Sequence, residues 1–157
     1  MQPKLKSSLI TGSLIIFLAL ITVSLMLTFV SGPLEKQRRD RTIALKRVAM
    51  DYSISEPVYL NASNFDRVCI IGEGFYEGNA VYFASDSLGR VLDRIEKTRI
   101  NVATVVAFAT KSMVFENPIT QIAYFKGAFV VAVIEKTRET LLNIEDYSVV
   151  LTVEIGK

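Results

Sequence analysis

The amino-acid sequence predicts an α+β protein in which a single N-terminal transmembrane helix precedes one small globular domain. Three observations predict this class: a long uncharged segment near the start, later segments with the composition of strands, and stretches with helical spacing of apolar residues. The domain is expected to hold a mostly antiparallel sheet of four or five strands with one or two packed helices. Its predicted parts are a basic tail at 1–8, a transmembrane helix at 9–31, a stalk at 32–51 and the α+β domain at 52–157.

The transmembrane helix is predicted from residues 9–30, in which Leu, Ile, Val, Phe, Met and Ala are interrupted only by small or hydroxyl residues. A helix of this length spans about 33 Å, close to the roughly 30 Å hydrocarbon core of a bilayer. The apolar run is longer than the core of a cleavable signal peptide, which has about 7–15 residues, and residues 29–32 make a poor cleavage site. The sequence therefore favours a retained signal anchor and a single-pass membrane protein.

A basic segment follows the apolar run. Gly32-Pro33 is expected to interrupt the chain, and Pro33 suits the first turn of a new helix. Apolar and charged residues over 34–50 are spaced as in a short amphipathic helix. Two interpretations stay open: the helix lies on anionic lipid headgroups, or it is a solvated stalk. The bases that would contact the membrane surface are Lys36, Arg38, Arg39, Arg41, Lys46 and Arg47.

Five segments of the domain are predicted to be strands because they alternate in polarity or are rich in β-branched residues. They are residues 68–71, 101–110, 121–125, 128–134 and 148–155. Lys126-Gly127 is typical of a two-residue hairpin turn, and residues 128–134 are apolar on both faces, which indicates a central strand. The last strand is expected to be half-buried, with Val149, Leu151, Val153 and Ile155 on one face.

Two helices are predicted within the domain. Asp86 is a suitable N-cap for a helix over residues 87–98. Its buried stripe would be Leu88, Val91, Leu92 and Ile95. A second, shorter helix is predicted over residues 137–144.

The composition restricts the possible chemistry. The chain has no histidine, which removes the commonest general base and metal ligand. It has one cysteine, Cys69, whose apolar neighbours indicate a buried strand residue. Residues 52–157 carry ten bases against thirteen acids, which argues against nucleic acid as a partner. We therefore predict a non-enzymatic protein with no catalytic residues, no metal site and no cofactor.

A glycine-rich segment is the sharpest local motif of the sequence. It reads Gly72-Glu-Gly74-Phe75-Tyr76-Glu-Gly78 and follows a predicted strand, as a dinucleotide-binding turn does. Its two acids and the lack of a helix directly after it favour a loop that glycine permits. The aromatic residues in and after it, Phe75, Tyr76, Tyr82 and Phe83, are divided between core and a possible protein-binding patch. Gly72, Gly74, Phe75, Tyr76 and Gly78 are the predicted interaction loop.

Acidic residues in loops are the remaining candidates for acid–base chemistry. They are Glu73, Glu77, Glu116, Glu145 and Asp146. Without a pattern that brings two of them together, each is interpreted as a solvated acid.

Residues 64–72, with the sequence NFDRVCIIG, resemble the W-D-x-V-C-h-h-G-P-Y stretch of a family of small bacterial secreted or membrane-anchored proteins with no assigned activity. Phe65 stands where that family has Trp, and Glu73 where it has Pro. The resemblance implies an α+β domain outside the cytoplasm and implies no chemistry.

The side of the membrane is predicted from two opposed signals. The six bases after the apolar run favour a cytoplasmic domain by the positive-inside rule, whereas the acid-free tail is typical of an anchor that carries its domain across. With the resemblance added, we expect an extracytoplasmic domain. The leading hypothesis is an accessory or assembly subunit that binds another protein, or itself, beside membrane lipid. The alternatives are a small-ligand sensor that uses residues 72–78 and, third, an enzyme that uses carboxylates.

Overall fold

The computed structural model describes residues 3–113 and 118–155, with the side chains of 3–11, 27–32 and 34 outside that description. The chain divides into two compact units, Met1–Arg39 and Asp40–Lys157. The first helix, α1, runs over Pro3–Tyr52. The other elements are β1 Ile54–Ser63, β2 Cys69–Tyr76, β3 Asn79–Ser85, β4 Val91–Glu96, a one-turn 3₁₀ helix Lys97–Arg99, α2 Val102–Ser112, β5 Ile119–Phe125, β6 Ala128–Glu135, β7 Arg138–Asn143 and β8 Val149–Glu154.

The eight strands form two four-stranded antiparallel sheets. The first sheet has the order β1-β2-β3-β4 and the second the order β5-β6-β7-β8, so that each strand pairs with its neighbours in sequence. The predicted fold, one sheet of four or five strands behind a transmembrane helix, is therefore wrong. The hairpin at Lys126-Gly127 and the central position of β6 are confirmed.

The helix predicted over residues 87–98 is a tight turn followed by β4. The carboxylate of Asp86 accepts hydrogen bonds from the backbone amides of Leu88 and Arg90, each at 2.9 Å, as an N-cap would. Gly89 then adopts a positive φ of 80°, which reverses the chain and ends any helix. Hydrogen bonds from backbone amides to the Asp86 carboxylate therefore begin a β-turn here and not a helix. The apolar residues that follow belong to strand β4.

The strand predicted over residues 101–110 is helix α2. Asn101 caps it, since its side-chain oxygen accepts the backbone N–H of Thr104 at 3.1 Å. Val105 and Ala109, four residues apart, are both buried in the core between the sheets. The cap and this helical spacing override the strand preference of the β-branched residues.

The helix predicted over residues 137–144 is strand β7. A two-residue turn separates β6 from β7, and this short connection returns the chain directly into an antiparallel pairing. Thr140 and Leu142 face one side of the sheet, and Glu139 and Leu141 face the other. This alternation has the period of a strand.

A membrane-spanning helix at 9–31 is not found. Among the described residues, no helix is both long and apolar enough to cross a membrane. The predicted transmembrane helix, the signal anchor and the single-pass membrane localisation are therefore wrong.

Helix α1 also continues where a new helix was predicted to start. Pro33 lies inside it, and the amphipathic segment 34–50 is its continuation. Strong helix formers follow Pro33, since residues 34–39 are Leu-Glu-Lys-Gln-Arg-Arg, and this composition favours helix directly after the proline.

The core of the second unit lies between the two sheets. Buried side chains from β2, β3, β5, β6, β7 and α2 form one cluster, which includes Cys69 as predicted. The outer face of the first sheet is covered by the end of α1, where Val48 packs with Ile54 and Phe83. The outer face of the second sheet carries a smaller cluster, which Phe65 and Leu151 border.

Side chains of β1 and of the loop after it join the two sheets. The hydroxyl of Ser63 donates to the carbonyl of Tyr124 at 3.1 Å and accepts the backbone N–H of Tyr124 at 3.4 Å. The side-chain amide of Asn61 donates to the carbonyl of Ile122 at 3.1 Å. The backbone N–H of Lys126 donates to Asp66 at 3.2 Å. We call this set of contacts the seam.

Candidate interaction surface

Strand β8 ends the second sheet and, with Ile155 directly after it, carries more exposed large apolar residues than any other described strand. Val149, Val150, Val153 and Ile155 are 55%, 43%, 40% and 42% exposed. β8 pairs with β7 along one side, and no described strand pairs with its other side. We call these four side chains and the unpaired side of β8 the edge surface. The sequence predicted this strand correctly but expected it to be half-buried.

A β-bulge sets the direction of the side chains on β8. Leu141 is opposite Leu151, whereas Leu142 is opposite Val149, so Val150 is the extra residue. The bulge moves Val149 to the opposite face from Leu151 and Val153. The predicted single apolar face is therefore wrong, and both faces of β8 present exposed valines to solvent.

The backbone of β8 presents hydrogen-bonding groups away from β7. The N–H of Ile155 donates to the carbonyl of Thr137 at 2.9 Å and therefore points towards β7. Because these directions alternate along an antiparallel strand, the N–H groups of Thr152 and Glu154 point outwards. The hydroxyls of Thr140 and Thr152 lie 3.5 Å apart, as expected for a pair without backbone hydrogen bonds between them. The outward groups can extend the sheet by one more strand.

The predicted interaction loop is mostly a strand. Gly72 and Gly74 lie within β2, where a Cβ atom at Gly72 would be 2.7 Å from the carbonyl oxygen of Val58. A Cβ atom at Gly74 would be 2.8 Å from the carbonyl oxygen of Ser55. These glycines allow β1 to approach β2 closely. They serve packing and do not form a flexible phosphate-binding loop.

The remaining residues of the predicted loop lie at the β2–β3 hairpin. Gly78 follows Glu77 in the two-residue turn, and both have positive φ. Phe75 is exposed, whereas Tyr76 packs partly against the cluster under α1 and lies below the guanidinium of Arg94, 3.5 Å from the ring centre. Phe83 is fully buried. Only one aromatic of this group, Phe75, therefore presents its ring to solvent as an exposed side chain.

The predicted surface bases are divided between the two units. Lys36, Arg38 and Arg39 belong to the first unit, and Arg41, Lys46 and Arg47 to the second. Within the second unit, the guanidinium of Arg41 lies 3.6 Å from the ring centre of Tyr59, and Arg47 donates to the carbonyl of Leu88 at 2.9 Å. Two of the six bases therefore make contacts that hold the end of α1, within the second unit, against the first sheet and the turn before β4.

The candidate acids that the structure describes are not paired with one another. Glu73 forms an ion pair with Lys97, and Glu145 lies 3.2 Å from Arg99. The hydroxyl and backbone N–H of Ser148 bond Asp146 and hold the pKa of its carboxyl below the usual value. Glu116 lies outside the described residues. Among the described residues, no group of three potential ligands is placed to hold a metal ion.

Cys69 is equally unsuited to chemistry. Its side chain is fully buried, and burial raises the pKa of the thiol, which keeps it protonated and unreactive.

A wider cleft of about 530 Å³ lies between β4 and the β5–β6 hairpin. Arg99 and Glu145 pair across it, and Arg94, Lys126 and Asp93 add charges of both signs. Because the charges are mixed and two of them are already paired, the cleft selects neither anions nor cations. Val150 of the edge surface also borders it.

The edge position of β8 is the feature of this candidate surface that the sequence did not reveal. Its alternation identified a strand, but only the sheet order shows that one side of that strand pairs with no described strand. No protein-family model, no curated protein and no solved structure matches this chain, so the resemblance of residues 64–72 stays a prediction.

Proposed function

We propose that this chain is a non-catalytic protein-binding subunit that receives an extended segment of a partner protein along β8. The observation that carries the proposal is the edge surface, with its four exposed β-branched residues and outward backbone groups. A segment added there gains backbone hydrogen bonds and buries valines on both faces. An accessory or assembly role follows from this mode of binding.

The composition of β8 supports the proposal. Natural proteins protect sheet edges with charges, prolines or covering elements because exposed apolar edges aggregate. β8 carries one charged residue, Glu154, and no proline. An exposed apolar edge lowers solubility, so its presence is explained if a partner protein covers it.

The charge of the domain favours a partner over a second copy of this chain. Residues 52–157 carry ten bases against thirteen acids, so two copies would repel each other weakly. The charged residue of β8 is also an acid. The occupant is therefore an extended segment with basic residues, from another protein.

The test is a selection of short random peptides displayed on phage against the full-length chain. Selected peptides are measured by calorimetry against the wild type and two variants, Val149→Lys and Thr152→Pro. The first variant places a charge on the edge surface, and the second removes an outward N–H. The matched control is Val58→Lys, because Val58 is an exposed valine on β1, at 51%.

We expect extended peptides rich in β-branched and basic residues, whose affinity falls about tenfold or more in both β8 variants and is unchanged in the control. Selection of no saturable binder, or wild-type affinity for both β8 variants, would overturn the proposal. Self-association of the chain that Val149→Lys abolishes would assign the edge to a second copy and reject the proposed partner.

A further inference from the structure

A separate pocket of about 300 Å³ lies on the outer face of the second sheet. Its walls come from the end of β1, with Asn61, from the β1–β2 connection, with Phe65, and from Ala132, Glu139 and Val153 of the sheet. Val153 also belongs to the edge surface. The pocket is therefore continuous with the site proposed for strand addition.

Glu139 is the one charged side chain among the residues that line this pocket. Its cross-strand neighbours are Ile134 and Val153, both apolar. None of the ion pairs found among the described residues includes it. Burial raises the pKa of its carboxyl. A half-buried carboxylate in apolar surroundings destabilises the fold unless a cation or donor meets it.

Asn61, which borders this pocket and also a second one beside Tyr82, has a further unsatisfied acceptor. Its side-chain NH₂ donates to the carbonyl of Ile122 at 3.1 Å and to the side-chain oxygen of Gln121 at 3.3 Å, which fixes the orientation of the amide. Its side-chain oxygen is buried and has no hydrogen-bond partner within the described part of the chain. Both unmet groups are acceptors, so a ligand that completes the site brings hydrogen-bond donors.

We propose that this pocket binds a primary ammonium or guanidinium group on an aliphatic stem, with Glu139 as its counter-ion. In the setting of the proposed function, on which this identification of the source rests, the cation is a lysine or arginine of the segment docked on β8. The stem covers Val153 and Phe65, and the charged head reaches Glu139. The pocket thus supplies the side-chain specificity that backbone pairing lacks.

The sheet register places the cation within reach. Glu139 on β7 is opposite Val153 on β8, and a docked strand lies one further spacing away. Two strand spacings separate Glu139 from the docked residue opposite Val153, or about 10 Å between backbones. Long basic side chains lie along apolar surface over such distances, whereas short polar side chains stay on their own strand.

The first experiment uses free probes and does not depend on strand addition. The full-length, ¹⁵N-labelled chain is titrated with n-butylammonium chloride and N-propylguanidinium chloride, with n-butanol and sodium butyrate as neutral and anionic probes. We expect saturable shifts at Asn61, Ala132 and Val153 with the two cations. Glu139→Gln should weaken cation binding about tenfold, the value of a charge-assisted hydrogen bond. Glu96→Gln, the control at an exposed acid on β4 of the first sheet, should leave it within about twofold of wild type.

A second variant keeps the test independent of how Glu139→Gln folds. Val153→Arg places a guanidinium opposite Glu139 on the adjacent strand, so that it should occupy the pocket and abolish the shifts caused by both cations. Unchanged cation affinity in Glu139→Gln, equal binding of n-butanol, or no saturable shift at these residues would overturn the proposal.

A peptide arm separates the two sources of the cation. Peptides selected on β8 are compared with versions in which each basic residue is replaced by norleucine. If replacing a basic residue with norleucine lowers the affinity for the wild type but not for Glu139→Gln, the docked segment is the source of the cation. If the free cations bind and no peptide does, the pocket stands as an amine site and the proposed function fails. If peptides bind β8 but neither cation nor basic residue depends on Glu139, the pocket proposal fails alone.

Discussion

The two sheets share one topology but differ in how their outer faces and edges are finished. The first sheet is covered by the end of α1, and Phe83 beneath it is fully buried. The outer face of the second sheet has a carboxylate, Glu139, beside a pocket, and no described residue forms an ion pair with it. The same meander can thus serve as a supporting layer or as a binding layer, and the difference lies in which element covers it.

Their free edges differ in the same way. β4, the end strand of the first sheet, carries Asp93, Arg94 and Glu96 among its six residues. β8, the end strand of the second sheet, carries only Glu154. Charges on an edge strand hinder the addition of a further strand, so β4 is protected and β8 is open. Substitutions in the two sheets should therefore have opposite patterns of effect on stability and binding.

The largest loss of stability is expected from Phe83→Ala in the first sheet. Phe83 is 0% exposed and packs against Val48 and Ile54, so its removal leaves a cavity under α1. We expect a loss of about 3–5 kcal/mol in the free energy of unfolding, measured by urea denaturation. Phe75→Ala, on the exposed hairpin at 44%, is the control and should cost much less. Equal losses in the two variants would contradict the assignment of the first sheet as the supporting layer.

A smaller loss is expected from Ser63→Ala at the seam. The variant leaves the N–H and carbonyl of Tyr124 without their partner in a buried environment. Unsatisfied buried groups cost about 1–3 kcal/mol. Ser55→Ala removes an exposed hydroxyl that bonds the carbonyl of Phe75 at 3.3 Å and should have little effect. Should the two serine variants unfold at the same urea concentration, the seam would contribute nothing to sheet docking.

A gain of stability, smaller than either loss, is expected from Glu139→Gln near neutral pH. Burial raises the pKa of this carboxyl in the folded state, so folding opposes its ionisation. The glutamate is protonated, and harmless, below its unfolded pKa of about 4.3. As pH rises from this value through the pKa of the folded state, Glu139 becomes ionised and the wild type loses stability. The glutamine variant has no carboxyl at this position and does not show this loss.

Thermal denaturation between about pH 4 and pH 7 checks this prediction, since the two curves should separate with rising pH. The side chains opposite Glu139, Ile134 and Val153, are uncharged, and so are the other residues that line the pocket. A constant difference across the range would show that Glu139 keeps an ordinary pKa.

The smallest change in stability is expected from Val149→Lys on β8. Val149 is 55% exposed, so the free energy of unfolding should stay within about 0.5 kcal/mol of wild type. Aggregation at high concentration should fall, because a charged residue then protects the edge. Light scattering measures this. A destabilisation above about 1 kcal/mol would mean that β8 is packed and not open.

The sequence predicted those parts of the fold that depend on a few adjacent residues. Lys126-Gly127 encodes a two-residue turn by itself, and the apolar surroundings of Cys69 correctly indicated burial. The prediction of a strand over residues 101–110 was wrong because it gave more weight to the β-branched composition than to the cap at Asn101. The prediction of a helix after Asp86 was wrong because a carboxylate accepts hydrogen bonds from backbone N–H groups in a turn as well as at the start of a helix.

The candidate site was harder to predict from the sequence than the fold was. The strand over 148–155 was predicted, but its open edge depends on the order of strands in the sheet. The pocket depends on register, which places Glu139 opposite Val153 and beside a connection more than seventy residues earlier in the chain. Gly72 and Gly74 lie in a strand and not in a loop, because glycine also occurs where strands pack closely.

The seam has a consequence for the order of folding. Each sheet is a meander whose strands pair with their sequence neighbours, so each can form from local contacts alone. The contact of Ser63 with Tyr124 spans 61 residues and forms only when the two sheets dock. The backbone amide of Tyr124 donates to that hydroxyl and not to a strand partner. Its protection in pulse-labelled hydrogen exchange would therefore report the moment of docking, after the sheets themselves are protected.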